Sequence, residues 1–350
     1  MVTPAAAARR NIHLVGSLPF DSTAEAMEAA LTQLGERLRS LPDGETGARR
    51  NWIMERVESF RRHPDLELVR EGDWSSYDKT PVFGIRRGHA LRGESLDLGY
   101  MAAFEAGYPL FLERRRALGL TSAELAYQVG IPGDFDVALF TLGPKGPFLH
   151  REPFTEATLR ELREIHARGG QDVVFQLEVP AELIFTTRMP GLLQEPMARF
   201  LAAGISRLAA RSPEGARFGL HLCLGDLNHR ALGRMRDVSP LVRLSNAVVR
   251  SWPAGRSLDY VHVPLAGGIE PPPVEPAFYE PLRRMRLPSR TRFIAGFVHE
   301  KQPLEEQRRV LALLEGLVGR TVDVAASCGL GRRERGAALA NLERAATLAR

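Results

Sequence analysis

Cysteine is almost absent from this chain. Only Cys223 and Cys328 occur among 350 residues, which excludes a scaffold built on several disulfides. A single bridge between the two is the one disulfide reading left open. No apolar run approaches the ~18 residues that a membrane-spanning helix needs. The start, MVTPAAAARRNIHLVG, has no apolar stretch of the kind that follows the basic residues of a secretory signal. No membrane partner and a cytoplasmic location are therefore expected. An excess of one charge is lacking too: 47 basic residues are interspersed with 42 acidic ones. The net charge of +5 reads as solvated surface, and no basic stripe points to nucleic acid. The Gly/Pro turn GPKGP at 143–147 does not have the spacing of a phosphate loop.

What is present is alternation. Short apolar runs at 11–16, 39–45, 136–143, 172–180, 216–225, 258–268, 291–300 and 321–329 read as strands. Helical patterns lie between most of them, as at 22–39, where Ser22 or Thr23 is the expected N-cap. Eight strands separated by helices predict an α/β fold, a (β/α)8 TIM barrel, as a single domain over 1–350. The connection between strands two and three is far longer than a usual crossover. Residues 46–135 are expected to form an insertion, with a helix and a β-rich segment, over the barrel mouth.

Chemistry in such barrels sits at the C-terminal ends of the strands. Ser17 follows the first strand, Glu45 the second, and Glu178 the fourth. His221 and Cys223 lie on the fifth, His262 on the sixth, His299 ends the seventh, and Cys328 ends the eighth. Residues i and i+2 of a strand share a face, so His221 and Cys223 can point at one place. A nitrogen and two sulfurs form a donor set suited to zinc. The same pattern also fits a packed histidine beside a buried thiol.

Six segments, in order, resemble the catalytic barrel of cobalamin-independent methionine synthase, within the wider group that includes uroporphyrinogen decarboxylase. LVGSLP is similar to that family's G-S-F-P, and PDGETGARRNW to H-G-E-x-x-R-N-D. QLEVPA is similar to Q-I-D-E-P-A, and HLCLGDLN to H-M-C-Y-x-E-F-N. GFVHE is similar to the Y-D-I-H strand end, and SCGLGRR to D-C-G-L-K-T-R. The resemblance implies zinc as cofactor, with His221, Cys223 and Cys328 as ligands. It implies that Ser17, Glu45 and Glu178 hold the amino-acid end of a thiol substrate, and that His299 is the proton donor. The family's fourth ligand is a glutamate where this chain has Pro264, and His262 on the same strand face is the alternative source of a nitrogen. The family's N-terminal barrel, which helps to bind its polyglutamylated folate, has no counterpart here.

The expected activity is thus a zinc-dependent methyl or alkyl transfer to a homocysteine-like thiol by a methyltransferase of this type. A folate is one candidate donor. Two other readings stay open at this point. One is a metal-free, decarboxylase-like enzyme acting on a carboxylated substrate. The other is a non-catalytic barrel that binds an amino acid or thiol.

Overall fold

The computed structural model describes residues 9–51 and 53–350. Its strands are β1 (Ile12–His13), β2 (Ser40–Pro42), β3 (Leu66–Arg70), β4 (Val82–Ile85), β5 (Ala126–Pro132), β6 (Val173–Glu178), β7 (Arg217–His221), β8 (Ser257–Pro264), β9 (Arg292–Val298) and β10 (Asp323–Ala326). Eight of them form one sheet in the order β1-β10-β9-β8-β7-β6-β5-β2. Every pairing within it is parallel. A parallel bridge from Ile12 to Leu38, just ahead of β2, nearly closes the ring. Helices cover the outside, as buried parallel strands require, and the result is a (β/α)8 barrel.

Local sequence explains the helix ends. The first helix, Thr23–Leu34, begins where the Ser22 hydroxyl accepts the Glu25 N–H, at 3.2 Å. It stops at Gly35, whose φ of 49° favours glycine.

The third barrel strand corrects the sequence reading. The run at 136–143 is helical up to Leu142, in the helix Asp134–Leu142, and the strand is β5, at 126–132. A short, mostly apolar run has too little periodicity to separate strand from helix. Its position decides: Gly130 and Pro132 pair with β6, and the chain turns into the helix directly after Gly133.

Between β2 and β5 lie the helix Met54–Ser59, the antiparallel pair β3–β4 and the helix Tyr100–Ala117. The last of these is the crossover helix of β5. Its Phe104 and Phe111 rings lie 5.9 and 5.1 Å from the Tyr127 ring.

The lower barrel interior is polar but satisfied. Gln176 Oε1 receives the Tyr260 hydroxyl at 3.1 Å and lies 2.9 Å from His13 Nε2. The Gln176 amide donates to the Val15 carbonyl at 2.6 Å, and Ser40 donates to Gln128 at 2.7 Å. Such a network tolerates little displacement, because a lost partner would leave a buried polar atom bare. Gly219 makes room for it: a Cβ there would lie 1.9 Å from the Tyr260 ring.

Candidate functional site

The strand register builds the site. Glu178, His221 and His262 are successive partners across β6, β7 and β8. Neighbours in a parallel register share a face, so all three point into the barrel at one level. Cys223 follows β7 and Cys328 follows β10.

These elements bring His221, Cys223 and Cys328 together, with their donor atoms all within 4.8 Å of one another. The two sulfurs are 3.6 Å apart and both cysteines are free, so the disulfide reading is set aside. Two thiolates on a tetrahedral zinc, at ~2.3 Å each, would lie roughly 3.8 Å apart. The sulfur spacing and the donor types therefore fit such an ion. Among the described residues no fourth His, Cys, Asp or Glu joins the group. Three protein ligands with one open position is the pattern of a catalytic rather than a structural zinc site.

His262 stands behind His221 rather than beside the sulfurs. Its Nε2 lies 3.0 Å from the Ala326 carbonyl, which only accepts, so Nε2 carries the proton. Burial brings its pKa down to about 4, which keeps the ring neutral, so its Nδ1 is an acceptor. His221 Nδ1, at 2.7 Å, must then donate to it. This fixes the His221 tautomer and leaves Nε2 as its unprotonated nitrogen. Burial holds the His221 pKa well below the usual range, with His262 adding to the effect.

The sulfurs are not equivalent. Cys223 Sγ donates to Cys328 Sγ, and this hydrogen bond pushes the Cys223 thiol up and brings Cys328 down. Arg332, which the sequence reading did not single out, has Nη2 3.6 Å from Cys328 Sγ. Its Nε is 3.2 Å from Asp226 Oδ2, and Nη1 donates to the Arg50 carbonyl at 3.0 Å.

Glu45 and Glu178 flank Gly130. A Cβ on that glycine would meet Glu45 Oε1 at 2.7 Å and Glu178 Oε1 at 3.1 Å. The Glu45 carboxyl is pushed up to about 8, by burial first and by Glu178 second. Two carboxyls so placed want a cation between them. Ser17 is buried, and its hydroxyl accepts the Gly331 N–H at 3.3 Å, tying the end of β1 to the turn after Cys328.

Unlike His262, the three donor residues, the two glutamates, Ser17 and Arg332 border one cavity of about 1010 Å³. Its floor holds Ser17, Glu45, Glu178, His221, Cys223, Cys328 and Arg332, while Trp74, Leu139, Phe140, Ile184 and Phe185 make an apolar upper wall. The β3–β4 pair supplies Val69, Arg70 and Val82 to the rim. The turn between these two strands is tied to the loop after β7: the Tyr77 hydroxyl accepts the Leu227 N–H at 2.8 Å, and Asn228 donates to the Trp74 carbonyl at 2.8 Å. Glu45, Trp74 and Asn228 all adopt positive φ, at 42°, 56° and 50°. Strained backbone of this kind clusters at functional sites. Nothing in the insertion's sequence marks Tyr77 or Trp74, because their roles depend on a docking that only the folded chain shows.

His299 is not on the cavity wall. It is fully buried at the end of β9, where its Nδ1 accepts the Lys301 N–H at 3.3 Å. Glu300 beside it pairs with Arg333 at 3.2 Å.

No family model matches this chain, and no curated protein does. Among the solved structures that share the fold are two of similar length. One is a B12-independent methionine synthase from Shewanella sp. W3-18-1, in complex with selenomethionine. It has a TM-score of 0.58 at 14% identity, over 97% of each chain. The other is a protein from Listeria monocytogenes assigned as a vitamin-B12-independent methionine synthase. It has a TM-score of 0.53 at 12% identity, over 99% of this chain and 98% of that one.

Proposed function

We propose that the protein is a zinc-dependent transferase that moves a methyl or other alkyl group to a small thiol carrying an amino group. The observation that carries this reading is the meeting of His221, Cys223 and Cys328 at the floor of a large cavity, beside the Glu45–Glu178 pair. The likeness to a methionine synthase that binds selenomethionine supports it at the level of fold.

His221, Cys223 and Cys328 would hold the ion. Bound there, zinc would keep a substrate thiol ionised at neutral pH, which is the nucleophile that alkyl transfer needs. The chain does the rest by placement. Glu45 and Glu178 take the substrate's ammonium, Glu45 giving up its proton as the cation enters. Ser17 keeps the loop bearing Cys328 against the end of β1. The upper chamber, walled by Trp74, Phe140 and Phe185, takes the alkyl donor and keeps water from the reacting atoms. Its size and apolar wall suit a donor with a flat or aliphatic body, a folate among them. His299, behind the wall, is given no proton transfer in this reading.

X-ray absorption at the zinc edge tests the proposal. Adding homocysteine to zinc-loaded protein is expected to raise the sulfur neighbours of zinc by one. An unchanged sulfur count at saturating homocysteine would overturn it.

A further inference from the structure

An enzyme that alkylates a zinc-held thiolate faces a selectivity problem: two of its own ligands are thiolates as well. The two sulfurs here differ in their surroundings. Cys223 is buried, whereas Cys328 is partly exposed, and both border the cavity into which the electrophile must come. Cys328 is thus the ligand at greater risk of being alkylated in place of the substrate.

Arg332 lies at that sulfur. Its guanidinium also borders the cavity, with Nη2 3.6 Å from Cys328 Sγ. Asp226, with a side chain 1% exposed, lies 3.2 Å from both Nε and Nη2, and the Arg50 carbonyl holds Nη1, so the fork cannot swing away. An N–H donated to a thiolate withdraws charge from the sulfur lone pair that would attack carbon. The residue falls within SCGLGRR, at the place where the family pattern D-C-G-L-K-T-R has threonine.

The geometry points to Arg332 as a positioning residue that shields Cys328 from alkylation, so that the group is transferred to the bound substrate rather than to the enzyme's own ligand. This rests on the zinc reading above. In the suppressed reaction the Cys328 sulfur would form a bond to the alkyl carbon, the leaving group would depart with the electron pair, and the ligand would become a neutral thioether.

The test uses the full chain loaded with zinc, with the metal measured first, and iodoacetamide as the electrophile. Its iodide leaves as the sulfur–carbon bond forms. Peptide mass spectrometry follows Cys328 and Cys223 separately. In Arg332→Met, alkylation of Cys328 is expected to quicken by roughly tenfold, the scale on which hydrogen-bond partners tune metal ligands, with Cys223 unchanged. Arg332→Lys is expected to fall between the two. Because Arg332→Met strands the Asp226 carboxylate, the double variant Arg332→Met/Asp226→Asn is run beside it, and the same rise is expected. In cobalt-substituted protein the thiolate-to-metal band should move to lower energy in both Met variants. Equal rates at Cys328 in wild type and variants, or a double variant that returns to the wild-type rate, would overturn the proposal. Failure of wild type to take up zinc would overturn the zinc reading instead, and is seen before any alkylation is measured.

Discussion

His221 and His262 meet through their Nδ1 atoms at 2.7 Å, and the Ala326 carbonyl on the far side of His262 settles which of them donates. A backbone acceptor on β10 thereby sets the tautomer of a ring on β7. His262→Phe removes the acceptor and frees His221 to adopt the other tautomer. Zinc affinity, measured by chelator competition, is expected to fall about 10–100-fold, with both sulfurs still bound. An affinity within twofold of wild type would show that the relay does not matter.

The Glu45–Glu178 pair gives a pH signature. The Glu45 carboxyl titrates at about 8 in the fold against an ordinary value of 4.5. A raised carboxyl lowers stability as pH climbs from its unfolded to its folded value, so stability contributed below pH 4.5 is lost by about pH 8. Glu45→Gln should therefore show a higher Tm than wild type at pH 8 and little difference at pH 4. Affinity for an amine-bearing thiol should rise between pH 6 and about pH 8 in wild type, as Glu45 ionises, and lose that rise in Glu45→Gln. An unchanged pH profile in the variant would remove Glu45 from the amine site.

Gly219 tests the barrel interior. Its absent Cβ is what admits the Tyr260 ring, whose hydroxyl closes the network on Gln176. Gly219→Ala is expected to destabilise the fold by about 1–3 kcal/mol, the usual range for an overpacked core, as read from denaturant midpoints. A change under a few tenths of that would mean that the ring moves aside freely.

The barrel was legible because the physics of a buried parallel strand is local: a short run of apolar residues flanked by turns. It failed at 136–143, where the same composition serves a buried helix, and the strand was missed at 126–132 because AYQVGIP mixes glutamine and glycine into the run. Those two residues belong to the site's architecture, since Gln128 joins the interior network and Gly130 makes room for two carboxyls. His221, Cys223 and Cys328 were legible as donor types at strand ends, and the fold brings them together. His262 was expected beside them and instead meets the Nδ1 side of His221, because the β7–β8 register sets it against His221 rather than against the sulfurs. Arg332 stayed hidden among 47 basic residues. Only the packing of the turn after β10 against Asp226 distinguishes it from a solvated arginine.

The proposed chemistry needs one ion held by two sulfurs and one nitrogen. Metal analysis of protein purified without chelator, followed by zinc-edge absorption before any substrate is added, examines this directly. The expected result is about one zinc per chain with two sulfur and one nitrogen neighbours from the protein, and loss of the metal in Cys223→Ser. Full catalytic turnover by protein that holds no metal, or zinc bound without sulfur, would contradict it.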